Sequence, residues 1–188
     1  MNKKIITKLL FILFSILIFI VALREPVFRR LINYKSIGKR NIYLATNKEL
    51  VSFINNHSRK IIEPDIKQII KLALEITSER LSFTNKKSNI NPNKLFSSKN
   101  ANCIGYASFF TSTCNYLLKK YNLENLWQAK PQIGQLYLHR TNIHTYFDSP
   151  FFKDHDFVTI ENKETNELIG VDPTINDYLK IDYISIAK

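Results

Sequence analysis

Three residues of this chain, Cys103, His155 and Asp172, occur in the order and surroundings that a thiol nucleophile requires. Cys103 stands where a polar loop gives way to a helical pattern, His155 opens a short alternating run, and Asp172 closes the next one. A cysteine thiolate attacks carbonyl carbons, a histidine transfers the proton, and a carboxylate orients the imidazole. These three residues are therefore the candidate catalytic site.

The position of Cys103 at a helix amino terminus suits a reactive thiol. The helix dipole and the unpaired backbone N–H groups favour a thiolate, and the same groups can stabilise an acyl oxyanion. The alternative interpretation is a small apolar residue on a buried helix face, which describes Cys114 better. On one helix the two cysteines would lie roughly 16 Å apart, and a disulfide requires Cα atoms within about 7 Å. We expect no disulfide between them.

Helical patterns dominate the first part of the chain after residue 45. A capping box from Thr46 to Glu49 predicts a short helix. The Glu63-Pro64-Asp65 segment predicts the start of a helix that runs to about Leu81. A polar loop is expected from Thr84 to Asn102, and apolar residues at steps of three and four predict a helix over Cys103–Tyr121.

Alternating patterns follow Asn122 and predict strands. They cover Gln135–Tyr146, Phe157–Glu161, Leu168–Val171 and Lys180–Ile186. Helices followed by antiparallel strands indicate an α+β domain in which helices pack on an antiparallel sheet.

The two middle strands predict how His155 and Asp172 meet. A hairpin with its midpoint between Lys163 and Glu164 sets His155 directly opposite Asp172, with Cβ atoms about 5 Å apart. The same register sets Val158 opposite Ile169 on the other face. A turn at Thr165-Asn166 is the open alternative, and it shifts the register by four residues.

Other interpretations of the candidate residues stay open at this level. His139 and His144, in the alternating stretch, and His57, in a helix, compete with His155 for the role of base. Asp172-Pro173-Thr174 alone would be the end of a strand followed by a turn.

Three segments together resemble the transglutaminase-like superfamily of papain-related cysteine enzymes. They are Asn102-Cys103-Ile104-Gly105-Tyr106-Ala107, His155-Asp156-Phe157-Val158 and Val171-Asp172-Pro173-Thr174. The resemblance covers roughly residues 64–174. It implies Cys103 as nucleophile, His155 as base and Asp172 as the orienting acid, on a helix packed against an antiparallel sheet.

The chain departs from the family pattern at two positions. Ala101 stands where the family often has Gly, and Phe157 stands where it often has Trp. The backbone N–H of Cys103 is one expected oxyanion donor, and Asn100, Asn102 and Tyr106 are equal candidates for a second.

The amino terminus carries an unbroken apolar run from Leu9 to Leu23, relieved only by Ser15 and flanked by basic residues. It predicts a transmembrane signal anchor over residues 1–24, with a cleaved signal peptide as the alternative. Residues 25–45 are expected to form a juxtamembrane linker, and residues 46–188 the transglutaminase-like domain. The positive-inside rule favours a cytoplasmic domain, whereas the signal pattern favours an extracytoplasmic one, which is our expectation for this single-pass protein.

Charge and composition bear on the partners. The formal net charge is +11, and much of it lies near the expected membrane surface, where it suits anionic headgroups better than nucleic acid. No nucleic-acid motif, paired-cysteine zinc spacing or glycine-rich phosphate loop occurs. We therefore expect no nucleic-acid partner; the sequence does not fix the oligomeric state.

The expected function is that of a membrane-anchored cysteine enzyme acting on a peptide or protein amide, as a peptidase more than as a cross-linker. It requires no metal and no cofactor. One alternative is a catalytically silent fold that serves as a membrane-tethered binding or assembly module. Another is a basic protein of the membrane surface, whose lipid binding would depend on salt.

Overall fold

The computed structural model describes residues 3–59 and 61–187 of the chain. Its α-helices are α1 (Lys3–Leu31), α2 (Lys48–Ser58), α3 (Ile66–Arg80), α4 (Pro92–Ser98), α5 (Cys103–Lys120) and α6 (Pro173–Leu179). Two short 3-10 helices cover Ile143–Tyr146 and Pro150–Phe152.

The strands form one larger and one very small sheet. They are β1 (Ile32–Lys39), β2 (Ser82–Phe83), β3 (Asn100–Ala101), β4 (Trp127–Leu138), β5 (Thr141–Asn142), β6 (His155–Asn162), β7 (Leu168–Val171) and β8 (Ser185–Ile186). The larger sheet has the order β7-β6-β4-β1-β8, and β5 pairs with β4. The pairs within it are antiparallel except for β1 with β8. The mixed α+β class with a mostly antiparallel sheet is confirmed.

The main core lies between α3, α5 and one face of the sheet. On β6 the side chains alternate between the two faces, so Val158 and Ile160 point to the same side. Both are fully buried with Phe109 and Phe110 of α5 in one apolar cluster. The alternate residue Phe157 belongs to a second cluster with Tyr34 and Ile184. The sheet therefore carries apolar side chains on both faces.

Helix α5 matches the prediction, since it begins at Cys103 and ends one residue before Tyr121. Helix α3 begins at Ile66, and Asp65 caps it in a reciprocal pair with Gln68 rather than joining its first turn. The cap of α2 is Asn47, one residue after the predicted Thr46; its side chain accepts the N–H of Leu50 at 3.0 Å.

The expected loop at 84–102 is wrong in its middle. Asn91 caps α4, and Pro92 occupies its first turn. Proline is tolerated there because an N–H in the first turn would have no partner within the helix. Strand β3 then pairs in parallel with β2 immediately before Cys103. Helix α4 is only seven residues long, too short for the apolar periodicity that would have predicted it.

The predicted strands also require correction. Strand β4 begins at Trp127, well before Gln135, and Pro131 interrupts the sequence pattern inside it. Residues 143–146 are a 3-10 helix instead of a strand end. Of Lys180–Ile186, only Ser185 and Ile186 form a strand.

The predicted linker 25–45 is partly built into the sheet. Strand β1 lies between β4 and β8, and Tyr34 on it is fully buried. The end of α1 also contacts the carboxy-terminal segment, where Glu25 accepts the N–H of Asp182 at 3.0 Å. The fold therefore includes part of the segment that the sequence predicts as a linker.

The apolar run predicted as a membrane anchor lies within α1. Residues 1 and 2 of the predicted anchor lie outside the described residues. In the part of the chain that the structure describes, no helix has the length and apolar character needed to cross a bilayer.

Candidate active site

Cys103 is the first residue of α5, as the sequence predicted. The preceding Asn102 caps the helix, and its side-chain oxygen accepts the N–H of Gly105 at 3.2 Å. The first N–H groups of a helix have no partner within it. The thiol of Cys103 therefore sits beside backbone donors at the positive end of an 18-residue helix.

Gly105 allows the preceding segment to pack tightly on this first turn. A Cβ atom at Gly105 would lie 2.8 Å from the Cβ of Ala101 and 3.3 Å from the carbonyl oxygen of Asn89. Any larger residue would push the 89–101 segment away from the helix. The glycine thus fixes the approach of the chain to Cys103.

His155 and Asp172 meet, although through a different register from the predicted one. Nε2 of His155 lies 2.6 Å from Oδ2 of Asp172. In the hairpin Val158 pairs with Val171, and Ile160 pairs with Ile169. If this pairing is extended by one residue, Phe157 rather than His155 lies opposite Asp172. The predicted register is wrong by two residues, and a shift of two leaves both side chains on the same face.

The turn explains this shift. The side-chain oxygen of Asn162 accepts the N–H groups of Glu164 and Thr165 at 2.9 and 3.0 Å. Asn166 then reverses the chain with φ of 59°, a conformation that asparagine tolerates well. The hairpin is closed by a longer loop than the tight Lys163-Glu164 turn that we expected.

The carboxylate of Asp172 is fully buried and has four hydrogen-bond donors. Oδ1 accepts the backbone N–H groups of Thr174 and Ile175 at 3.0 and 3.1 Å, which makes Asp172 the cap of α6. Oδ2 accepts hydrogen bonds from His155 and, at 2.8 Å, from the hydroxyl of Tyr34. This set of donors holds the carboxylate in one orientation toward the imidazole.

Tyr34 is a residue of the site that sequence reasoning missed. It is fully buried on β1, and its ring centroid lies 6.2 Å from that of His155. Burial and the neighbouring Asp172 raise the pKa of Tyr34 well above its usual value. The hydroxyl therefore stays protonated and donates a hydrogen bond to the carboxylate of Asp172. Its segment carried no strand pattern, so the sequence offered no signal for it.

The environment of His155 favours its charged form. Burial lowers the pKa of the imidazole, but the charge of Asp172, the hydrogen bond to it and the interaction with Cys103 more than offset burial. The resulting pKa of His155 is well above 6.5. The surroundings therefore favour a proton on the imidazole of His155, between the carboxylate of Asp172 and the side chain of Cys103.

Cys103 and His155 line one cavity of about 260 Å³. Nε2 of the imidazole contacts the carboxylate of Asp172, so Nδ1 is the nitrogen available to the thiol. The side chain of Cys103 is close enough to contribute to the raised pKa of His155. The structure thus brings all three predicted residues together.

A second buried carboxylate, that of Asp156, lies next to His155 in the chain. It is fully buried and forms two hydrogen bonds with the Arg40 guanidinium, at 2.9 and 3.0 Å. The hydrogen bond to Asp156 raises the pKa of Arg40 despite partial burial, and the charges of Asp156, Asp154 and Cys103 add to it. Arg40 is therefore held at the residue that follows His155, a contact that the sequence did not indicate.

Cys114 and two of the competing histidines lie in other surroundings. Cys114 is fully buried in the main core, and burial raises the pKa of its thiol to about 12. His57 of α2 contacts Glu79 and the carbonyl of Phe53. His139 is exposed in the turn after β4, with φ of 54°. None of the three lines the cavity of Cys103.

The third competitor, His144, lines the same cavity as Cys103. Its Nδ1 lies 2.6 Å from the carbonyl oxygen of Phe152, so this nitrogen carries a hydrogen and donates it. That bond ties the 3-10 segment at 143–146 to the one at 150–152. His144 therefore lines the cavity, whereas His155 contacts the Asp172 carboxylate that the role of base requires.

The candidates for a second oxyanion donor differ in how they are held. Tyr106 donates its hydroxyl to Asp177 at 2.7 Å, which engages it with α6 instead of the site. Asn102 uses its side-chain oxygen for the helix cap. Asn100 is exposed on β3. The backbone N–H groups at the start of α5 remain the donors best placed beside the thiol.

The arrangement can perform nucleophilic acyl chemistry, because a thiol, an imidazolium and an orienting carboxylate share one site. Within residues 3–59 and 61–187, no cluster of three or more His, Cys, Asp or Glu side chains is arranged to hold a metal ion. Comparison with protein-family models, curated proteins and solved structures gives no match for this chain.

Proposed function

We propose that the protein is a cysteine enzyme that forms an acyl-enzyme on Cys103, with His155 as proton carrier and Asp172 as orienting acid. The observation that carries this proposal is the 2.6 Å contact between His155 and a fully buried Asp172, at a cavity that Cys103 also lines. Burying a carboxylate is costly unless it is paired and hydrogen-bonded. The buried carboxylate of Asp172 orients the imidazole of His155 beside the thiol and favours its charged form.

The acylation step follows from the charges of the site. His155 takes the proton of the Cys103 thiol, and the resulting thiolate attacks the substrate carbonyl carbon, forming an S–C bond and a tetrahedral oxyanion near the first N–H groups of α5. The bond between this carbon and the amide nitrogen then breaks, and the imidazolium of His155 gives its proton to the departing amine. A thioester on Cys103 and a neutral imidazole remain.

The second step reverses the proton movement. Neutral His155 takes a proton from the acceptor, which attacks the thioester carbon, and the Cys103 thiolate leaves. Water as acceptor gives a carboxylic acid, and therefore peptidase activity. An amine gives a new amide. We favour water as the acceptor and a peptide or protein amide as the substrate.

We also infer that the fold is that of the transglutaminase-like superfamily. Three features support this inference: a cysteine that opens a long helix, a histidine that opens an antiparallel strand, and an aspartate that directly follows the neighbouring strand. A catalytically silent fold would carry the same three features, so activity requires its own test.

That test is the trapping of the acyl-enzyme. The purified protein is mixed with a nitrophenyl ester, and the site of acylation is mapped by mass spectrometry of tryptic peptides. We expect the acyl group to be found on Cys103 and to be lost in water, or lost faster when an amine is added. We expect no acylation of the Cys103→Ser variant. The His155→Ala variant should acylate at least about a hundredfold more slowly, since general acid–base catalysis contributes about 10²–10⁴-fold. Equal acylation of Cys103 in both proteins would contradict the proposed role of His155.

Membrane attachment is a separate part of the proposal and rests on the sequence of residues 9–23 alone. If these residues anchor the protein, it should stay in the membrane pellet after washing with alkaline carbonate. A variant in which Leu10, Leu13 and Phe14 are changed to Ser should then be released. Release of the unmodified full chain would contradict the anchor and leave the proposed chemistry untouched.

A further inference from the structure

The cavity beside Cys103 and His155 has an apolar lining. Its volume is about 260 Å³. The apolar residues that line it are Phe83, Leu136, Ile143, Phe147, Phe151 and Phe152. We call this set the phenylalanine pocket. No sequence pattern indicates it, because its members come from three separate parts of the chain.

The walls of the phenylalanine pocket support one another. Phe152 packs against Phe147 and Phe151 with ring centroids 5.0 Å apart in each pair. Phe83 reaches Phe151 from β2 at 6.5 Å. The hydrogen bond from His144 to the carbonyl of Phe152 joins the 3-10 helix that carries Ile143 to the one that carries Phe151 and Phe152. The pocket is therefore formed before any ligand enters.

The charges around the pocket indicate which ligands fit it. Asp154 and His155 lie among the lining residues, and within the described part of the chain no lysine or arginine lines the pocket. A carboxylate on the ligand would leave water for a largely apolar lining that includes the Asp154 carboxylate, and the charge of His155 is already paired with Asp172, so the lining disfavours it. An uncharged hydrocarbon group removes apolar surface from water at no such cost.

The volume of the pocket limits the size of the ligand. Sites for drug-sized ligands occupy about 300–1,000 Å³, and this pocket is slightly smaller. It is suited to one large apolar side chain or a short hydrocarbon chain. Because Cys103 lines the same space, a group bound there would be attached to the carbonyl carbon that the thiol reaches.

We propose that the phenylalanine pocket selects substrates in which an apolar, uncharged group is attached to the carbonyl that Cys103 attacks. The group is a large apolar amino-acid side chain or a short hydrocarbon acyl chain. This inference rests on the proposed function and adds the chemical class of the acyl group to it. The chemistry at Cys103 is the S–C bond formation described above, with the leaving group taking its proton from His155.

The experiment uses nitrophenyl esters of acetic, butanoic, pentanoic and hexanoic acids and of succinic acid, a charged ester close in length to the pentanoic one. The readout is the second-order rate constant for acylation of Cys103. We expect this constant to rise about fourfold for each added methylene until the pocket is full, from the free energy of burying one methylene. The succinic ester should react at least about tenfold more slowly than the pentanoic one.

Two variants separate the pocket from general hydrophobic attraction. Ile143→Trp fills the pocket and should flatten the ratio of hexanoic to acetic rates. Ile62→Trp makes the same change at a side chain that is 87% exposed and does not line the pocket, so it should keep the ratio of the unmodified protein. If Ile143→Trp does not fold, Phe147→Ala should shift the optimum toward longer chains.

The outcomes distinguish the two proposals. Acylation of Cys103 at equal rates by all the esters would overturn the selectivity and leave the enzyme proposal standing. An unchanged ratio in a folded Ile143→Trp protein would also overturn it. Failure of every ester to acylate Cys103 would overturn both proposals.

Discussion

His155 contacts Asp172 across the β6–β7 hairpin even though the register sets Phe157 opposite the aspartate. The imidazole reaches diagonally to a carboxylate that lies just past the end of β7, at the cap of α6. Diagonal neighbours on one face of a sheet are within reach of long side chains. The position of Asp172 therefore depends on the helix cap as much as on the strand, and its two backbone donors come from α6.

Tyr34→Phe should weaken the site without disrupting the core. It removes one of two hydrogen bonds to Oδ2 of Asp172 and leaves the ring in place. Hydrogen bonds to charged groups contribute about 1.5–3 kcal/mol, so we expect a loss of about 2 kcal/mol in the free energy of unfolding by urea. Tyr146→Phe, at a side chain that is 74% exposed, is the matched control and should change stability by less than about 0.5 kcal/mol. Equal effects of the two variants would contradict the assigned role of Tyr34.

The raised pKa of His155 predicts how stability depends on pH. The folded protein keeps a proton on His155 that the unfolded chain releases as the pH rises above about 6.5. This contribution to the free energy of unfolding is fully present below that pH and is lost as the pH rises through the folded pKa, with a limiting slope of about 1.4 kcal/mol per pH unit. Urea titrations of the unmodified protein and of His155→Gln should therefore converge as the pH rises. A difference that stays constant or grows would contradict the imidazolium.

Gly134 is required by the close approach of β4 to β6 beside His155. A Cβ atom there would lie 2.5 Å from the ring of Phe157 and 2.9 Å from the carbonyl oxygen of His155. Gly134→Ala should therefore cost about 2–3 kcal/mol in the free energy of unfolding, the upper range for overpacking. At Gly38 the nearest atom is the flexible end of Ile133 at 3.3 Å, and Gly38→Ala should cost less than about 1 kcal/mol. Comparable melting temperatures for the two variants would argue against this packing.

Arg40 should matter because its partner Asp156 is fully buried. Arg40→Met leaves an unpaired buried carboxylate and should cost about 3 kcal/mol at neutral pH. Burial raises the pKa of Asp156 in spite of Arg40, so the carboxylate takes up a proton readily as the pH falls. The cost should consequently shrink toward pH 4. Lys39→Met removes an exposed neighbouring charge and serves as the control, with an expected change below about 0.5 kcal/mol. A cost for Arg40→Met that does not depend on pH would contradict the ion pair.

The sequence predicted the parts of the site that depend on local patterns. Cys103 could be placed at a helix start because the polar loop ends and the apolar stripe of α5 begins there. His155 and Asp172 could be placed on one face because strand periodicity is two, and the error in register was an even number of residues. The helix α6 after Asp172 was missed because its seven residues are too few to show periodicity.

The residues that depend on distant contacts could not be predicted in this way. Tyr34 and Asp172 are 138 positions apart, and Arg40 and Asp156 are 116 apart. Tyr34 and Arg40 lie in a basic stretch in which apolar and polar residues do not alternate, and such a stretch is typical of a linker. Tertiary packing, rather than local propensity, makes that stretch a strand. The phenylalanine pocket is likewise assembled from segments that only the fold brings together.

The alkylation rate of Cys103 by iodoacetamide across pH, with Cys114 as the internal reference, tests the proposed thiol–imidazole pair most directly. We expect Cys103 of the unmodified protein to be alkylated far faster than Cys114 at neutral pH, because Cys114 is buried with a pKa of about 12. We also expect His155→Ala to remove most of the alkylation rate of Cys103, while the folded variant keeps its circular dichroism spectrum. Slow and similar labelling of both cysteines, or a Cys103 rate that His155→Ala leaves unchanged, would contradict the existence of a catalytic thiol–imidazole pair.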